Sequence, residues 1–126
     1  MIEGLFNNTY YLAAKKLLDV TAMRHEAIAS NLANLETPNY HRIDVAPSFN
    51  TELKQALAAN DPDQIANLQP HLEVDSTAVA ANRDGNTVQL ETELLHLQQN
   101  TLEHSLETQL VTSQLLNVRM AIKGSP

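Results

Sequence analysis

The sequence contains two pairs of acidic and imidazole side chains with the spacing of known metal ligands. Glu93 and His96 are three residues apart, as in the Glu-x-x-His pairs that bind di-iron centres inside helical bundles. His25 and Glu26 match the start of the zinc-protease helix, but Ala29 stands where that motif needs its second histidine. The zinc hypothesis is therefore excluded, and the di-iron hypothesis requires Glu93 and His96 to face a bundle core.

The other residue types give no support for catalysis. The sequence around Ser30, Ser48 and Ser76 lacks a nucleophile elbow, and the three glycines are too widely separated to form a phosphate-binding loop. The chain has no cysteine, which excludes disulfides, thiolate metal sites and thiol nucleophiles. We therefore expect no catalytic residue, no cofactor and no metal.

The charge pattern also excludes several classes of partner. The 126 residues carry a net charge of −7, and only Lys15 and Lys16 are adjacent basic residues. Nucleic-acid and anionic-membrane surfaces need a concentrated basic patch, so neither is expected. We also expect no small-molecule substrate. No run approaches the roughly 18 apolar residues of a membrane span, and Met1 to Thr9 lacks the pattern of a cleaved secretory signal.

Two leucine-rich stripes, one near each end of the chain, must position whatever the protein binds. The first consists of Tyr11, Ala14, Leu18, Thr21, His25, Ile28, Leu32 and Leu35. The second consists of Leu90, Leu94, Leu97, Thr101, His104, Thr108, Val111, Leu115, Val118 and Ile122. Alternating steps of three and four place each stripe on one side of a helix that packs against other helices.

The fold predicted from these stripes is mainly α. Two long terminal helices, about 9–35 and 88–122, pair as an antiparallel coiled-coil hairpin, with 1–8 as a frayed lead-in. Pro38 ends the first helix because it lacks an amide hydrogen, and Asn39 tolerates the positive φ of the turn that follows. Gly124 and Pro126 end the second helix.

The middle segment is the polar part of the chain. We assign 1–40 and 84–126 to the terminal-helix coiled-coil domain and 41–83 to an irregular segment with short β-strands. Extended pieces are expected at Ile43–Val45 and near Pro70–Val74, with a short helix at about 48–60. The run Asp61-Pro62-Asp63 is interpreted as a break after that helix.

Polar residues interrupt both stripes near their centres. An antiparallel pairing brings Thr21 and His25 into one layer with the group Thr101, His104 and Thr108. We interpret this layer as a device that fixes register rather than as a His25–His104 metal or pH-sensing pair, because two histidines without carboxylates make a poor metal shell. Glu93 and His96 fall between the leucines of the second stripe, so we expect a solvated pair.

The second helix has a further apolar row that one partner helix cannot cover. It consists of Leu95, Leu102, Leu106, Leu110, Leu116 and Met120. Burying each of these side chains is worth roughly 1.5–3 kcal/mol, so leaving all of them exposed is costly for a monomer. Either the middle segment folds back over the row, or identical subunits cover it in a polymer.

Two sequence runs resemble those of one protein family. Residues 29–40, ASNLANLETPNY, closely resemble the ASNIANxxTPxY signature of the axial proteins of the bacterial flagellum, which include rod, hook and hook-associated proteins. Residues 42–45 look like that family's RDIDF-type run, and residues 84–93, DGNTVQLETE, resemble the DGNTVDLDxE run of its short proximal rod members. The resemblance covers about 9–45 and 84–123, and its departures are minor: Asn39, His41 and Gln89.

The resemblance implies a structural role with no catalytic activity and no cofactor. It implies a subunit of the periplasmic rod that is exported from the cytoplasm by the flagellar export apparatus without signal cleavage. Its partners would be further copies of itself, other rod proteins such as FlgC, the adaptor FliE and the MS ring. Its functional residues would be the helix-end motif of Asn31, Asn34, Thr37, Pro38, Asn39 and Tyr40, and the turn of Asp84, Gly85, Asn86 and Thr87 that precedes the second helix.

The assembly seam predicted from the stripes consists of Leu18, Ile28, Leu32, Leu35, Leu90, Leu94, Leu97, Val111, Leu115, Val118 and Ile122. Asn31 and Asn34 are expected to bond backbone groups that the ending helix leaves free. Two alternatives remain: a dimeric metal-binding bundle that uses Glu93 and His96, and a soluble adaptor or secretion chaperone that holds a client helix on the same stripes.

Overall fold

The computed structural model describes residues 9–124, and two long helices dominate it. Helix α1 (Thr9–Ala33) and helix α4 (Leu90–Lys123) run antiparallel, because Asn31 lies beside Glu93 while Thr21 lies beside His104. Gly124 ends α4 in the left-handed conformation at φ 73°, as expected for a C-terminal glycine. The mainly α fold is confirmed, whereas the predicted lead-in at 1–8 and the stop at Pro126 lie outside the described residues.

The middle segment contains more regular structure than the sequence suggested. Strand β1 (Ile43–Val45) pairs antiparallel with strand β2 (Leu72–Val74), so that Ile43 lies opposite Val74. Helix α2 (Ser48–Ala58) and helix α3 (Pro62–Asn67) lie between the two strands. Both extended pieces and α2 agree with prediction.

Helix α3 was missed because Asp61-Pro62-Asp63 was interpreted as a break. The Asp61 carboxylate accepts hydrogen bonds from the amides of Asp63 and Gln64, and Pro62 occupies the first helical position, where a missing amide hydrogen costs nothing. The same residues that end α2 therefore begin α3.

The main core lies between α1 and the middle segment. Its buried side chains are Ala13, Val20, Val45, Phe49, Leu53, Ala56 and Ile65. Helix α1 therefore packs on two adjacent sides: one side contacts this core and the other contacts α4. None of the described helices is long and apolar enough to cross a membrane.

Because the middle segment packs on α1, it leaves the further apolar row of α4 uncovered. Of the two alternatives for that row, folding back of the middle segment is therefore wrong for the described residues. The row is exposed throughout, at Leu95, Leu102, Leu106, Leu110, Leu116 and Met120.

Candidate assembly site and hairpin junction

The Asn31 side chain holds the chain together where α1 meets the middle segment. Its amide nitrogen donates to the Ile43 carbonyl and its amide oxygen accepts from the Ile43 amide, both at 2.9 Å. This is the pair of hydrogen bonds that a neighbouring strand would make with β1. The Tyr40 hydroxyl also donates to the Asn31 oxygen at 3.2 Å, so the fully buried amide satisfies three partners from the residues that follow the turn.

Arg42 lies at the centre of a buried ion cluster. Its Nε donates to Glu93 Oε1 at 2.6 Å, and a terminal nitrogen donates to Asp75. Asp44 and the His96 ring complete the surroundings of the guanidinium, at 3.4 and 3.2 Å. Glu93 is 0% exposed and accepts a second hydrogen bond from Asn31. A carboxylate this deep requires such pairing, because an unpaired buried charge is strongly destabilising.

The pKa shifts in this cluster have identifiable causes. Burial acts to lower the pKa of Arg42, but its hydrogen bonds to Glu93 and Asp75 outweigh burial and raise it. The pKa of Asp75 is lowered, chiefly by the Thr77 hydroxyl that donates to its carboxylate. Both groups therefore stay charged across the physiological range, and the cluster acts as a fixed link between α4 and the middle segment.

Asn86 closes the other side of the junction by holding the turn that follows α1. Its amide nitrogen donates to the carbonyls of Asn34, Leu35 and Thr37 at 2.8 to 3.1 Å. These carbonyls belong to the turn that directly follows α1, which ends at Ala33. Asn86 is buried, so it ties the end of the first helix to the turn before the second.

The backbone of that turn also pairs with the residues after Pro38. The Asn39 amide donates to the Asp84 carbonyl, and the Thr87 amide donates to the Tyr40 carbonyl. Asn39 has the positive φ that its sequence predicted, at 60°. Its side-chain oxygen would lie 2.5 Å from a β-carbon on Gly85, so glycine is required both by φ and by space.

Farther along the hairpin, α1 and α4 enclose a groove of about 360 Å³. Thr21 and Asn100 form its buried floor, and the rim consists of the exposed residues Ala22, His25, Thr101 and His104. The Thr21 hydroxyl lies 3.0 Å from His104 Nδ1, and Asn100 Nδ2 donates to the Thr21 carbonyl at 2.8 Å. Asn100 Oδ1 is buried, and no group among residues 9–124 donates a hydrogen bond to it.

Glu107 lies one helical turn beyond this groove. Burial raises the pKa of its carboxyl to about 7, and nearby Glu103 adds to the shift, while the Thr21 hydroxyl and Arg24 act against it. Its Oε2 is buried without a partner. Glu107 therefore holds a proton more readily in the folded chain than a free glutamate does.

Comparisons with known proteins decide the family. No protein-family model matches the chain. The curated "Flagellar basal body rod protein FlgB" of Borrelia hermsii is 28% identical over 87% of this chain and 93% of its own length. The protein of the same name from Salmonella typhimurium is 26% identical over 87% of this chain and 90% of its own length. The one from Buchnera aphidicola is 25% identical over 95% of this chain and 100% of its own length.

These relatives support a flagellar basal-body rod protein FlgB. The relatives span both terminal helices and the middle segment, because each match covers most of both chains. The resemblance carried by residues 29–45 and 84–93 is thereby confirmed.

The structure brings the two FlgB-like sequence runs into one junction. Asn34 donates to the carbonyl of Ser30 on the last turn of α1, as expected for a helix-end asparagine. Asn31, in contrast, bonds β1 rather than the helix end. Thr37 donates to the Asn34 side chain, whereas Pro38 is exposed and shapes the turn.

The interpretation of Glu93 and His96 as a solvated pair is wrong. Glu93 is fully buried against Arg42 and Asn31, and His96 is half-buried beside the same guanidinium. The apolar periodicity did not predict this burial, because the row of α4 that faces inward is partly polar. The groups that bind Glu93, on Arg42 and Asn31, are also distant from it in sequence. The signal was present in Glu93, Asn100 and Glu107, which repeat every seven residues.

The predicted seam residues fall into two groups. The four on α1 and after it face inward: Ile28 is buried, while Leu18, Leu32 and Leu35 are half-buried. On α4, Leu97 and Val111 are half-buried and Val118 is buried. The exposed members are Leu90, Leu94, Leu115 and Ile122.

Four of the five central polar residues meet as predicted, since Thr21, His25, Thr101 and His104 line the groove. Thr108 does not join them, and its hydroxyl bonds the His104 carbonyl instead. Among residues 9–124, no group of three or more histidine, aspartate or glutamate side chains is arranged to hold a metal ion.

Proposed function

We propose that this chain is a structural subunit of the flagellar basal-body rod, and that it self-assembles and binds other rod proteins through its terminal helices. Family membership supports the structural role. The observation that carries the mechanism is the outward surface of α4, which combines exposed leucines with very few charged side chains.

From Leu94 to Val118 the helix contains only two charged residues, Glu103 and Glu107. Glu103 pairs with Arg24 of α1, and Glu107 lies beside the same contact. Apart from Glu103, which is half-exposed, and the histidines, the solvent side of α4 over this length therefore consists of leucine, amide and hydroxyl side chains. Solvated helix faces are normally charged, so this composition is typical of a surface that another protein covers.

The size of the exposed apolar surface favours assembly over a monomeric state. Ten large hydrophobic side chains of α4 are each at least 43% exposed. Covering each one contributes on the order of 1 kcal/mol when it is half-buried already. A contact that covers most of them stabilises a polymer well enough to offset the loss of subunit freedom.

The hairpin junction supplies rigidity rather than chemistry. Its polar groups satisfy one another, since Arg42, Glu93 and Asn31 are all buried and hydrogen-bonded. Such a junction fixes the angle at which α1, α4 and the β1–β2 pair leave it. We assign it the task of holding the terminal helices and the middle segment in one orientation for neighbouring subunits.

The finer parts of the proposal concern partners and route. Neighbours in the rod would be further copies of this chain, FlgC, the adaptor FliE and the MS ring. The chain would reach the rod through the flagellar export apparatus without cleavage of a signal. The comparisons give no support to a metal-binding bundle or a secretion chaperone, and Arg42 already takes up the Glu93 carboxylate that the metal hypothesis needs.

Leu115→Asp tests the packing role. Leu115 is 43% exposed on α4, so the substitution should leave the hairpin folded and export intact while abolishing incorporation into rods. Electron microscopy and immunoblotting of purified basal bodies measure incorporation. Val79→Asp is the matched control, because Val79 is an exposed aliphatic residue outside α4. Normal rods built with Leu115→Asp would refute the proposed packing.

A further inference from the structure

The β1–β2 pair has one closed edge and one open edge. The Asp75 amide donates to the Arg42 carbonyl at 2.9 Å, and two residues further along the strands Asp44 lies opposite Glu73. Hydrogen-bonded and non-bonded pairs alternate along an antiparallel ladder, so Asp44 and Glu73 form the next bonded pair. The backbone groups of the residues on either side of Glu73 therefore point away from β1.

The outer edge of β2 presents backbone groups that nothing in the described chain binds. The amides and carbonyls of Leu72 and Val74 point outward, and no group among residues 9–124 forms a hydrogen bond with them. On β1 the equivalent outward groups of Ile43 are taken by the Asn31 side chain. Val74 is 54% exposed, so an incoming strand can reach this edge. Strand β2 is therefore able to accept a further strand, as the exposed edges of peptide-binding sheets do.

Glu73 makes this edge selective for a positive charge. It lies directly opposite Asp44, and like charges in such positions repel each other. Asp44 is neutralised by Arg24 and Arg42, at 3.2 and 3.4 Å. The ion partner of Glu73 in the described chain is the exposed His71, at 3.6 Å. Because a histidine is charged only when it is protonated, Glu73 lacks a permanent cation.

A hollow of about 230 Å³ beside the edge has the same sign of charge. The residues Asp44, Glu73 and Asp75 line it, together with Ser76 and Thr77. Their carboxylate and hydroxyl oxygens accept hydrogen bonds from an ammonium or guanidinium group. The hollow therefore suits the end of a basic side chain and disfavours an acidic one.

We propose that β2 binds an extended segment of another protein by strand addition, and that this segment carries lysine or arginine opposite Glu73. An antiparallel segment pairs its backbone with Leu72 and Val74. The residue opposite Glu73 then belongs to a non-hydrogen-bonded pair, in which the two side chains are closest. Its neighbours fall on the other face, beside Val74, where an aliphatic side chain buries apolar surface. The recognised pattern is therefore aliphatic, basic, aliphatic.

A second copy of this chain is a poor occupant of the edge. Two β2 strands that join through Leu72 and Val74 in an antiparallel register place the two Glu73 carboxylates opposite each other, where they repel. The edge is also separate from the terminal helices that carry the proposed function, so the two surfaces are tested independently.

Titration of the full-length, isotope-labelled chain with two capped peptides tests the proposal. The peptide TVKVT has the proposed pattern, and TVEVT has glutamate in place of its lysine. The backbone amide signals of Leu72 and Val74 are followed by NMR at about pH 7.5, where histidine is mostly neutral. We expect TVKVT to shift these signals, and TVEVT to bind at least about threefold more weakly because like charges then face each other.

Reversing the charge at residue 73 identifies the group that selects the peptide. Glu73→Lys should exchange the preference, so that TVEVT binds more tightly than TVKVT. Glu52→Lys, at an exposed position of α2, is the matched control and should keep the preference of the native chain. Equal affinities of the native chain for the two peptides, or an unchanged preference in Glu73→Lys, would overturn the proposal.

Two substitutions at Val74 test the backbone pairing. Val74→Pro removes the outward amide hydrogen but none of the β1–β2 bonds, and it should weaken binding of TVKVT about tenfold. Val74→Ala keeps the amide and is the matched control, with binding only slightly weakened. Melting temperatures of both variants show whether the strand pair is retained.

Three results would contradict strand addition by a basic segment. The first is an equal loss of affinity in Val74→Pro and Val74→Ala. The second is the absence of any shift at Leu72 and Val74 with either peptide. The third is a shift at these amides that depends on the concentration of the chain alone, because a second copy would then be the occupant.

Discussion

At the scale of single residues, the Asn31 side chain makes the hydrogen bonds that a neighbouring β-strand would make with β1. Its amide presents a donor and an acceptor with the spacing of a peptide group, and β1 takes both. Neither aspartate nor leucine of similar size supplies this pair of bonds. The identity of residue 31 is therefore fixed by backbone recognition inside the subunit rather than by contact with a partner.

Asn31→Ala tests this role. The substitution removes the hydrogen bonds of Asn31 to the part-buried amide and carbonyl of Ile43 and one hydrogen bond to Glu93. We expect the free energy of unfolding to fall by about 1–3 kcal/mol or somewhat more, as measured by urea denaturation. Asn50→Ala, at an exposed position of α2, is the control and should change stability little.

Gly85 and Gly124 form a matched pair for separating backbone strain from steric contact. Both have positive φ, at 77° and 73°, but only Gly85 faces a neighbour, the side chain of Asn39. Alanine at either position costs about 1–2 kcal/mol for its conformation. Gly85→Ala should be the more destabilising in thermal melts, and adding Asn39→Gly should recover the excess, because glycine removes the Asn39 side chain and tolerates its positive φ of 60°. Equal losses at the two glycines would show that the contact is unimportant.

At the scale of elements, the contact between α1 and α4 is unusually polar. Thr21, Asn100 and Glu107 lie where a coiled coil normally places leucine, and this choice weakens the contact while fixing its register. The pairing of α1 with α4 is specific without being strong.

Glu107 makes this contact sensitive to pH. The carboxyl has a pKa of about 7 when folded, against 4.5 as the ordinary value. Because the folded pKa is raised, folding takes up a proton between these values, and stability falls as the pH rises from 4.5 to 7. Glu107→Gln should therefore stabilise the chain at pH 8 and make little difference at pH 4.5.

Denaturation curves across this pH range measure the effect, with Glu52→Gln on the exposed side of α2 as the control. A gain from Glu107→Gln that is the same at pH 4.5 and pH 8 would contradict the assignment. The expected gain is confined to the high-pH side because only the ionised carboxylate is disfavoured by burial.

The limits of sequence-based prediction are clear from these elements. Pro38 and Gly124 marked the helix ends to within a few residues, and Asn39 revealed the turn, because these signals are local. The inward row of α4 could not be identified in the same way. Its Glu93 is compatible with burial only because Arg42, 51 residues earlier, neutralises it, and single-sequence periodicity contains no such information.

The junction was half-predicted for the same reason. The residue runs 29–40 and 84–93 were identified from the sequence. Nothing local indicated that Asn86 would donate to carbonyls of the turn after α1, or that Asp75 would form an ion pair with Arg42. Helix α3 shows the opposite error, since Asp61 and Pro62 are equally good signals for an end and a beginning.

At the scale of the whole molecule, the proposed contact between copies is apolar and neutral. Self-association should therefore depend weakly on salt, because few charges are screened when the ionic strength rises. We expect sedimentation velocity to give similar association constants at about 0.05 M and about 0.5 M sodium chloride, where the Debye length falls several-fold. Marked weakening at high salt would indicate that charged groups join the copies instead.

The position of Glu93 in the last helix has a consequence for biosynthesis. Arg42 pairs with Glu93 of α4 as well as with Asp44 and Asp75, so a nascent chain that has emerged as far as residue 89 still lacks the one fully buried carboxylate of the cluster. The main core between α1 and the middle segment, in contrast, lies wholly within the part already made. The junction is therefore the part of the fold whose completion has to await the end of translation.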